Sequence, residues 1–259
     1  MALAFSGGTD STFLAAVAGE ELGARALAVT AVSPVFPARE QREAVELAAR
    51  LGIRHETVVT HEMELPAFAA NPADRCYYCK RALFAAVRAA AQRGGIDVIA
   101  DGTNADDLAD RRPGRCAAAE AGARSPLLDA GLGKAEIRAL SREKGLPTAN
   151  KPAQACLASR VPYGSPITIE KLRAVDRLEE AVRETGFRQV RVRHHGELAR
   201  IEVGPDELDR LWEPAVRERI ARAGRAAGFL YVSADFSGYR TGSLNEALRA
   251  TQGDRRTAG

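Results

Sequence analysis

Short apolar or β-branched runs alternate along the chain with longer stretches in which apolar and small residues recur every three or four positions. The runs Leu3–Phe5, Ala26–Val32, Glu56–Thr60 and Val98–Asp101 have strand length. Between them, Ser11–Leu22, Ala38–Leu51 and Tyr78–Arg93 have helical spacing. This alternation predicts an α/β fold with a doubly wound parallel sheet, whose ligands lie beyond the carboxyl ends of the strands. From Thr168 onward the order changes. Helix Ile169–Thr185, strands Gln189–His194 and Leu198–Val203, helix Pro205–Ala227 and strand Leu230–Ala234 predict a smaller α+β domain with its own sheet. The expected organisation is a first domain over 1–150, a connecting loop over 151–167, and a C-terminal domain over 168–259 for substrate binding or oligomerisation. No internal repeat or low-complexity tract interrupts this plan, and the charged tail from Gly253 is expected to be disordered.

The first strand runs into Ser6-Gly7-Gly8-Thr9-Asp10-Ser11, directly before the first helix. Two glycines reach backbone angles closed to other residues, and their bare backbone lets an oxyanion approach. The helix that follows offers unpaired N–H groups and the positive end of its dipole, which suits pyrophosphate. Asp10 opposes phosphate by charge unless it holds Mg²⁺, a hard cation that takes carboxylate and phosphate oxygens together. The plain alternative is a turn that links strand to helix, with Asp10 or Ser11 as a cap. Neither G-x-G-x-x-G nor a Walker A Gly-Lys-Ser/Thr is present. The six residues resemble the PP-loop of ATP pyrophosphatases, which cleave ATP between its α and β phosphates and adenylylate an oxygen of the substrate.

Composition narrows what such a site serves. The 259 residues are 46% hydrophobic, enough for a packed core, and a net charge of +3 admits an anionic ligand without demanding nucleic acid. No apolar run approaches the roughly 18 residues of a membrane span, and no signal-peptide pattern opens the chain. The four cysteines are few and unevenly spaced, so the expected compartment is a reducing cytoplasm, where thiolate chemistry or metal ligation is open to them.

Two cysteine settings stand out. Cys76 and Cys79, in Arg75-Cys76-Tyr77-Tyr78-Cys79-Lys80, lie three apart at a helix start and share one side of it. Cys156 lies in a Pro- and Gly-marked loop, Lys151 to Gly164, flanked by Lys151 and Arg160. That setting favours a thiolate, although a free cysteine is also a common small buried hydrophobe. The Cys-x-x-Cys pair alone admits an iron–sulfur site, zinc, a disulfide or inert thiols. Cys116, beside an Ala-rich run, reads as packing.

Taken together, several stretches are similar to the LarE family of ATP-dependent sulfur transferases. They are Ser6–Ser11, Ala31–Pro37, Asp101–Asp107, Arg111–Gly114, Arg124–Leu127, Ala155–Gly164, Arg191–Val203 and Gly238–Ser243. The resemblance covers nearly the whole chain, from Leu3 to about Leu248. It implies that ATP and Mg²⁺ adenylylate a carboxylate of pyridinium-3,5-biscarboxylate mononucleotide, and that a sulfur nucleophile then displaces AMP. In that family the cysteine at the position of Cys156 either gives up its own sulfur or ligates an iron–sulfur cluster that carries the sulfur. With Cys76 and Cys79 it makes three thiolates, which leaves one iron of a 4Fe-4S cluster open for sulfide.

The nucleotide residues are then Ser6, Gly7, Gly8, Asp10, Ser11, Gly102 and Asn104. The substrate candidates are Arg160, Arg191, Arg193, Glu202 and Arg240. Arg191 and Arg193 share a strand face, where they bind a phosphate or form a solvated polar face; Glu202 faces the same site or pairs with one of them. Asp106 and Asp107 cap a turn or approach the metal, and His194 and His195 read as structural. A sulfide source and a homo-oligomer are further implications, with no nucleic acid or membrane partner. An iron–sulfur tRNA thiolase shares these motifs but calls for zinc-binding cysteine pairs near the termini, and all four cysteines lie between positions 76 and 156. An amide-forming synthetase with this loop needs no cysteine at all.

Overall fold

The computed structural model describes residues 1–108, 113–153 and 155–246. Two compact units divide at Ala155–Cys156.

The first unit is built on the parallel strands β1 (Ala2–Ala4), β2 (Leu27–Val32), β3 (Arg54–Val59) and β4 (Ile99–Ala100), in the spatial order β3-β2-β1-β4. Helices α1 (Thr9–Leu22) and α2 (Ala38–Leu51) follow the first two strands. The short α3 (Pro66–Ala69) and the long α4 (Arg75–Arg93) precede β4. Helices α5 (Pro113–Glu120), α6 (Pro126–Asp129) and α7 (Lys134–Glu143) complete the unit.

The sheet is covered on both faces, as the mainly apolar, buried strands β1, β2 and β4 require. Leu3 and Ala28 pack with Phe13, Leu14, Ala44, Leu47 and Ile137 from α1, α2 and α7. On the opposite face Ala2, Leu27, Val29 and Ile99 meet Phe84, Val87, Ala90 and Ala91 of α4. Each such large apolar side chain contributes roughly 1.5–3 kcal/mol when removed from water. The doubly wound α/β prediction therefore holds. The chain runs β1-β2-β3 to one side and then crosses to place β4 on the other side of β1. The carboxyl end of β1, where Ser6-Gly7-Gly8 begins, is thus the topological switch point.

The second unit holds α8 (Ile169–Arg183), an antiparallel pair β5 (Val190–His195) and β6 (Leu198–Val203), α9 (Pro214–Ala227) and β7 (Tyr231–Ala234). β7 joins β6 in parallel, so this small sheet is mixed. The single helix expected over 205–227 is divided. Pro205–Trp212 forms a 3-10 helix, and Pro214 starts α9 after Glu213 turns to an extended ψ of 127°. Proline disfavours helical angles in the residue before it, which breaks the run there. The charged tail from Gly253 lies outside the described residues.

Candidate functional site

The nucleotide cradle is assembled at the switch point of the first unit. Gly7 adopts φ +66°, and a Cβ there would lie 3.1 Å from the Ala44 Cα. Gly8 departs from the expectation of two left-handed glycines: it sits at φ −80° and ψ 170° as the residue before α1. Among the described residues no side chain caps α1, so neither Asp10 nor Ser11 takes the capping role. Instead the Ser11 hydroxyl accepts from the Ser6 backbone N–H (3.3 Å) and lies 3.1 Å from the Ser6 Oγ, which pins the turn across its base. A Cβ on Gly102, just beyond β4, would come within 3.0 Å of the Ser11 nitrogen. The end of β4 is therefore pressed against the first turn of α1, and bare backbone is needed on both sides of the groove.

Asp10 projects from that first turn. Its Oδ2 accepts from the Lys134 Nζ at 2.5 Å, while its buried Oδ1 has no hydrogen-bond partner among the described residues. An unmatched buried carboxylate oxygen beside a glycine turn and an uncapped helix start is a donor set that fits Mg²⁺ and a polyphosphate. Asn104 works through the loop: its side-chain oxygen accepts from the Asp106 (3.0 Å) and Asp107 (3.3 Å) N–H groups. The Asp107 carboxylate in turn accepts from the Asn104 N–H (3.1 Å), and Asp106 accepts from the Lys134 N–H (2.8 Å). Asp101 accepts from the Thr103 and Ser125 hydroxyls, both at 2.8 Å, and fixes the strand end.

Residues from the end of the unit also reach this turn. Lys151 donates to the Gly7 carbonyl and to Glu43, both at 3.0 Å, and Thr9 donates to the Thr148 carbonyl at 2.9 Å. Burial alone would raise the Glu43 carboxyl, but hydrogen bonds and charge from Arg39 and Lys151 outweigh it and hold the group below its ordinary value. Lys134, Lys151 and Glu43 escape a reading of sequence motifs. They stand more than 30 residues from the loop they serve, with no fixed spacing to mark them.

Cys76 and Cys79 lie in the opening turn and a half of α4, Cys76 exposed and Cys79 half-buried. The helix begins earlier than predicted, at the buried Arg75. Helix α5 rests against this turn: a Cβ on Gly114 would lie 3.4 Å from the Cys76 carbonyl, and Tyr77 donates to Glu120 at 2.7 Å. Cys116 is exposed rather than packed, because Gly114, Ala117 and Ala118 occupy the buried side of α5. Among the described residues no group of three or more His, Cys, Asp or Glu side chains is gathered as a metal site.

The second unit carries Cys156 and the arginines. Cys156 is half-buried and precedes a 3-10 turn, Leu157–Arg160. Its carbonyl accepts from the Ser159 hydroxyl (2.8 Å) and from Arg160 (3.0 Å), which shapes the loop around the thiol. Arg160 is fully buried and pairs in fork geometry with Glu179 at 2.8 and 3.1 Å. Glu179 also accepts from Arg183 (3.2 Å) and from the Val192 N–H (3.0 Å). Its complete burial would raise the carboxyl, yet the charge and hydrogen bonds of Arg160, then Arg183 and Arg191, hold it below the ordinary range. The basic residues that flank Cys156 in sequence are thus both committed, Arg160 to Glu179 and Lys151 to Gly7 and Glu43.

Arg193 forms a bidentate pair with Glu202 (2.9 and 2.8 Å) and donates to the Ser159 carbonyl and the Ser243 hydroxyl, both at 2.9 Å. The expectation that Glu202 pairs with one of the strand arginines is met in Arg193. Arg191 is buried with its guanidinium 5.2 Å from the Tyr239 ring centroid, and its pKa is lowered to about 10 by burial and then by Arg160. Arg240 is exposed and bonds to Glu246 at 3.1 Å. His194 packs edge-on against Phe229 at 5.3 Å.

Glu179 is the counter-ion on which this cluster depends. Glu179→Ala strands the buried Arg160 and is expected to cost about 3–5 kcal/mol of stability, read from the urea unfolding midpoint. Because the folded-state pKa of Glu179 is depressed, the contribution is present above the unfolded carboxyl pKa of about 4.3 and drains as pH falls through the folded value. A loss under about 1 kcal/mol at neutral pH would mean that the pair is dispensable.

Comparison with known proteins agrees with both units. A family model described as asparagine synthase matches residues 1–150. The chain is 45% identical over 246 residues to an uncharacterized protein of Synechocystis sp., covering 95% of this chain and 92% of that one. It is 35% identical over 251 residues to pyridinium-3,5-bisthiocarboxylic acid mononucleotide synthase of Lactiplantibacillus plantarum, covering 96% and 90% respectively. An uncharacterized protein of Methanocaldococcus jannaschii is 28% identical over 239 residues, or 92% and 90% of the two chains. With its PP-loop cradle formed at the switch point and that synthase matched along almost its entire length, the chain belongs to the LarE family of ATP-using sulfur transferases.

Proposed function

We propose that this protein converts pyridinium-3,5-biscarboxylate mononucleotide into the bisthiocarboxylate at the expense of ATP. The observation that carries the reading is the 35% identity to the synthase over 96% of the chain, joined to the Ser6–Ser11 cradle. A carboxylate oxygen attacks the α-phosphorus of ATP and releases pyrophosphate, which turns a poor leaving group into AMP. A sulfur nucleophile then adds to the carbonyl carbon, AMP departs with the C–O bond electrons, and a thiocarboxylate remains. Repeating the cycle on the second carboxylate completes the product.

In this reading Ser6, Gly7, Gly8 and Ser11 hold the phosphates, Asp10 holds Mg²⁺, and Gly102 and Asn104 form the opposite wall. Arg191, Arg193 and Arg240, with Glu202 and Arg160 as organisers, bind the substrate phosphate. The support is a cluster in the second unit in which the buried Arg160, Arg191 and Arg193 gather about two buried carboxylates, Glu179 and Glu202. Cys76, Cys79 and Cys156 would hold a 4Fe-4S cluster; two of these thiols share the first turns of one helix, and thiolate sulfur is the usual ligand of such clusters. When bound, the cluster supplies an open iron for exogenous sulfide. The setting is a homo-oligomer in the cytoplasm; no described helix is long and apolar enough to cross a membrane.

The test is anaerobic incubation with the biscarboxylate mononucleotide, Mg·ATP and sulfide. Expected are AMP, pyrophosphate and a substrate whose mass rises by the replacement of oxygen with sulfur, first once and then twice. ATP cleavage with no change in the mass of the pyridinium compound would rule out this substrate.

A further inference from the structure

We propose that Lys134 is the counter-ion of Asp10 before nucleotide binds and passes to the phosphate oxygens of ATP when Mg²⁺ takes the carboxylate. The inference rests on Asp10 as the metal-holding residue of the reading above.

The geometry assigns Lys134 this part. Its Nζ lies 2.5 Å from the Asp10 Oδ2, while the buried Oδ1 has no hydrogen-bond partner among the described residues. The carboxylate is therefore half-satisfied by an ammonium and half-open. With Mg²⁺ on the open Oδ1, the ammonium on Oδ2 would stand within a few ångströms of a divalent cation, and the repulsion between the two cations rises steeply at that distance. Arrival of the metal weakens the ammonium's hold on the carboxylate, and the four-carbon stem of lysine lets the charge travel several ångströms from a fixed Cα. Here the Cα is fixed. The Lys134 N–H donates to Asp106 at 2.8 Å, and Asp106 is held by Asn104. The Ala105 N–H donates to the Leu132 carbonyl at 2.9 Å, and a Cβ on Gly133 would come 3.3 Å from the Asp106 Oδ1. The anchored end keeps the displaced ammonium beside the turn where the polyphosphate would lie, so it exchanges a carboxylate for phosphate oxygens. Lys134 is then a nucleotide-binding residue, and Asp106 and Asn104 position it.

Calorimetric titration of the full-length protein tests this with two probes, MgCl₂ alone and Mg²⁺·α,β-methylene-ATP, which binds but is not cleaved. For Lys134→Met, Mg²⁺ alone is expected to bind at least about fivefold more tightly, since its competitor is gone, and the Mg²⁺·nucleotide roughly tenfold more weakly, since a charged phosphate contact is gone. Lys134→Arg is expected to keep nucleotide affinity within about threefold of the parent. A supporting role in the loop alone would weaken both ligands together, and that result would overturn the proposal. So would unchanged affinities, or tighter binding of both ligands. A parent protein that takes up no Mg²⁺·nucleotide would overturn the ATP reading as a whole. A parent that binds it, beside a Lys134→Met variant that binds equally well, overturns the role of Lys134 alone.

Discussion

Under the proposed 4Fe-4S reading, replacing Cys76, Cys79 or Cys156 with alanine, one at a time, is expected to remove both the brown colour that such a cluster gives anaerobically purified protein and the sulfide-dependent turnover. Cys116→Ala should retain both, because Cys116 lies on the exposed side of α5. Three thiolates leave one iron of a 4Fe-4S cluster without a protein ligand, and an open coordination position marks a reacting metal site rather than a structural one. The competing chemistry uses the sulfur of Cys156 itself. Mass spectrometry after turnover separates the two, since a donated sulfur leaves dehydroalanine and the protein loses the mass of H₂S. If iron-replete protein shows that loss at Cys156 once per sulfur transferred, Cys156 is a single-use donor and the cluster reading is wrong. Colour and turnover that survive in Cys76→Ala or Cys79→Ala would likewise remove those two residues from the sulfur path.

Asp10→Ala is expected to lower AMP formation on the order of 100-fold or more, the consequence of losing several kcal/mol of metal-borne charge stabilisation. Stability should hardly change. Among the described residues the Asp10 carboxylate pairs with the side chain of Lys134, which is 34% exposed, and ion pairs that water reaches are worth about 1 kcal/mol or less. Thermal unfolding within a few degrees of the parent, alongside the lost AMP, identifies the effect as local. AMP formation at the parental rate in the presence of substrate would show that Asp10 does not hold the metal.

The contrast between Asp10 and Lys134 shows how far a linear reading carries. Asp10 stands out in the sequence because everything that marks it as a candidate is local: a buried strand, a turn that favours glycine at Gly7, and a helix start within one short stretch. Lys134 belongs to the same contact yet lies 124 residues away, beside an ordinary helix start. The same holds for Lys151, whose neighbourhood in sequence suggested the Cys156 loop and whose ammonium instead meets Gly7 and Glu43. Arg160 likewise looked free to polarise the thiol, and it is turned inward to Glu179, 19 residues on.

Hydrophobic period and turn chemistry were enough for the alternating elements, the doubly wound sheet and the place of the glycine turn, since period and backbone angles act over a few residues. Ala38–Leu51 and Leu198–Val203 fall where the pattern puts them. Pro214 divides the helix expected over 205–227, a local steric effect that the apolar spacing outvoted in a reading by period. Which charges meet was settled only by the packed chain. A charged side chain finds its partner through desolvation and distance in three dimensions, and the crossing that sets β4 beside β1 brings Gly102 against the first turn of α1, and Lys134, whose backbone is tied to Asp106, reaches Asp10.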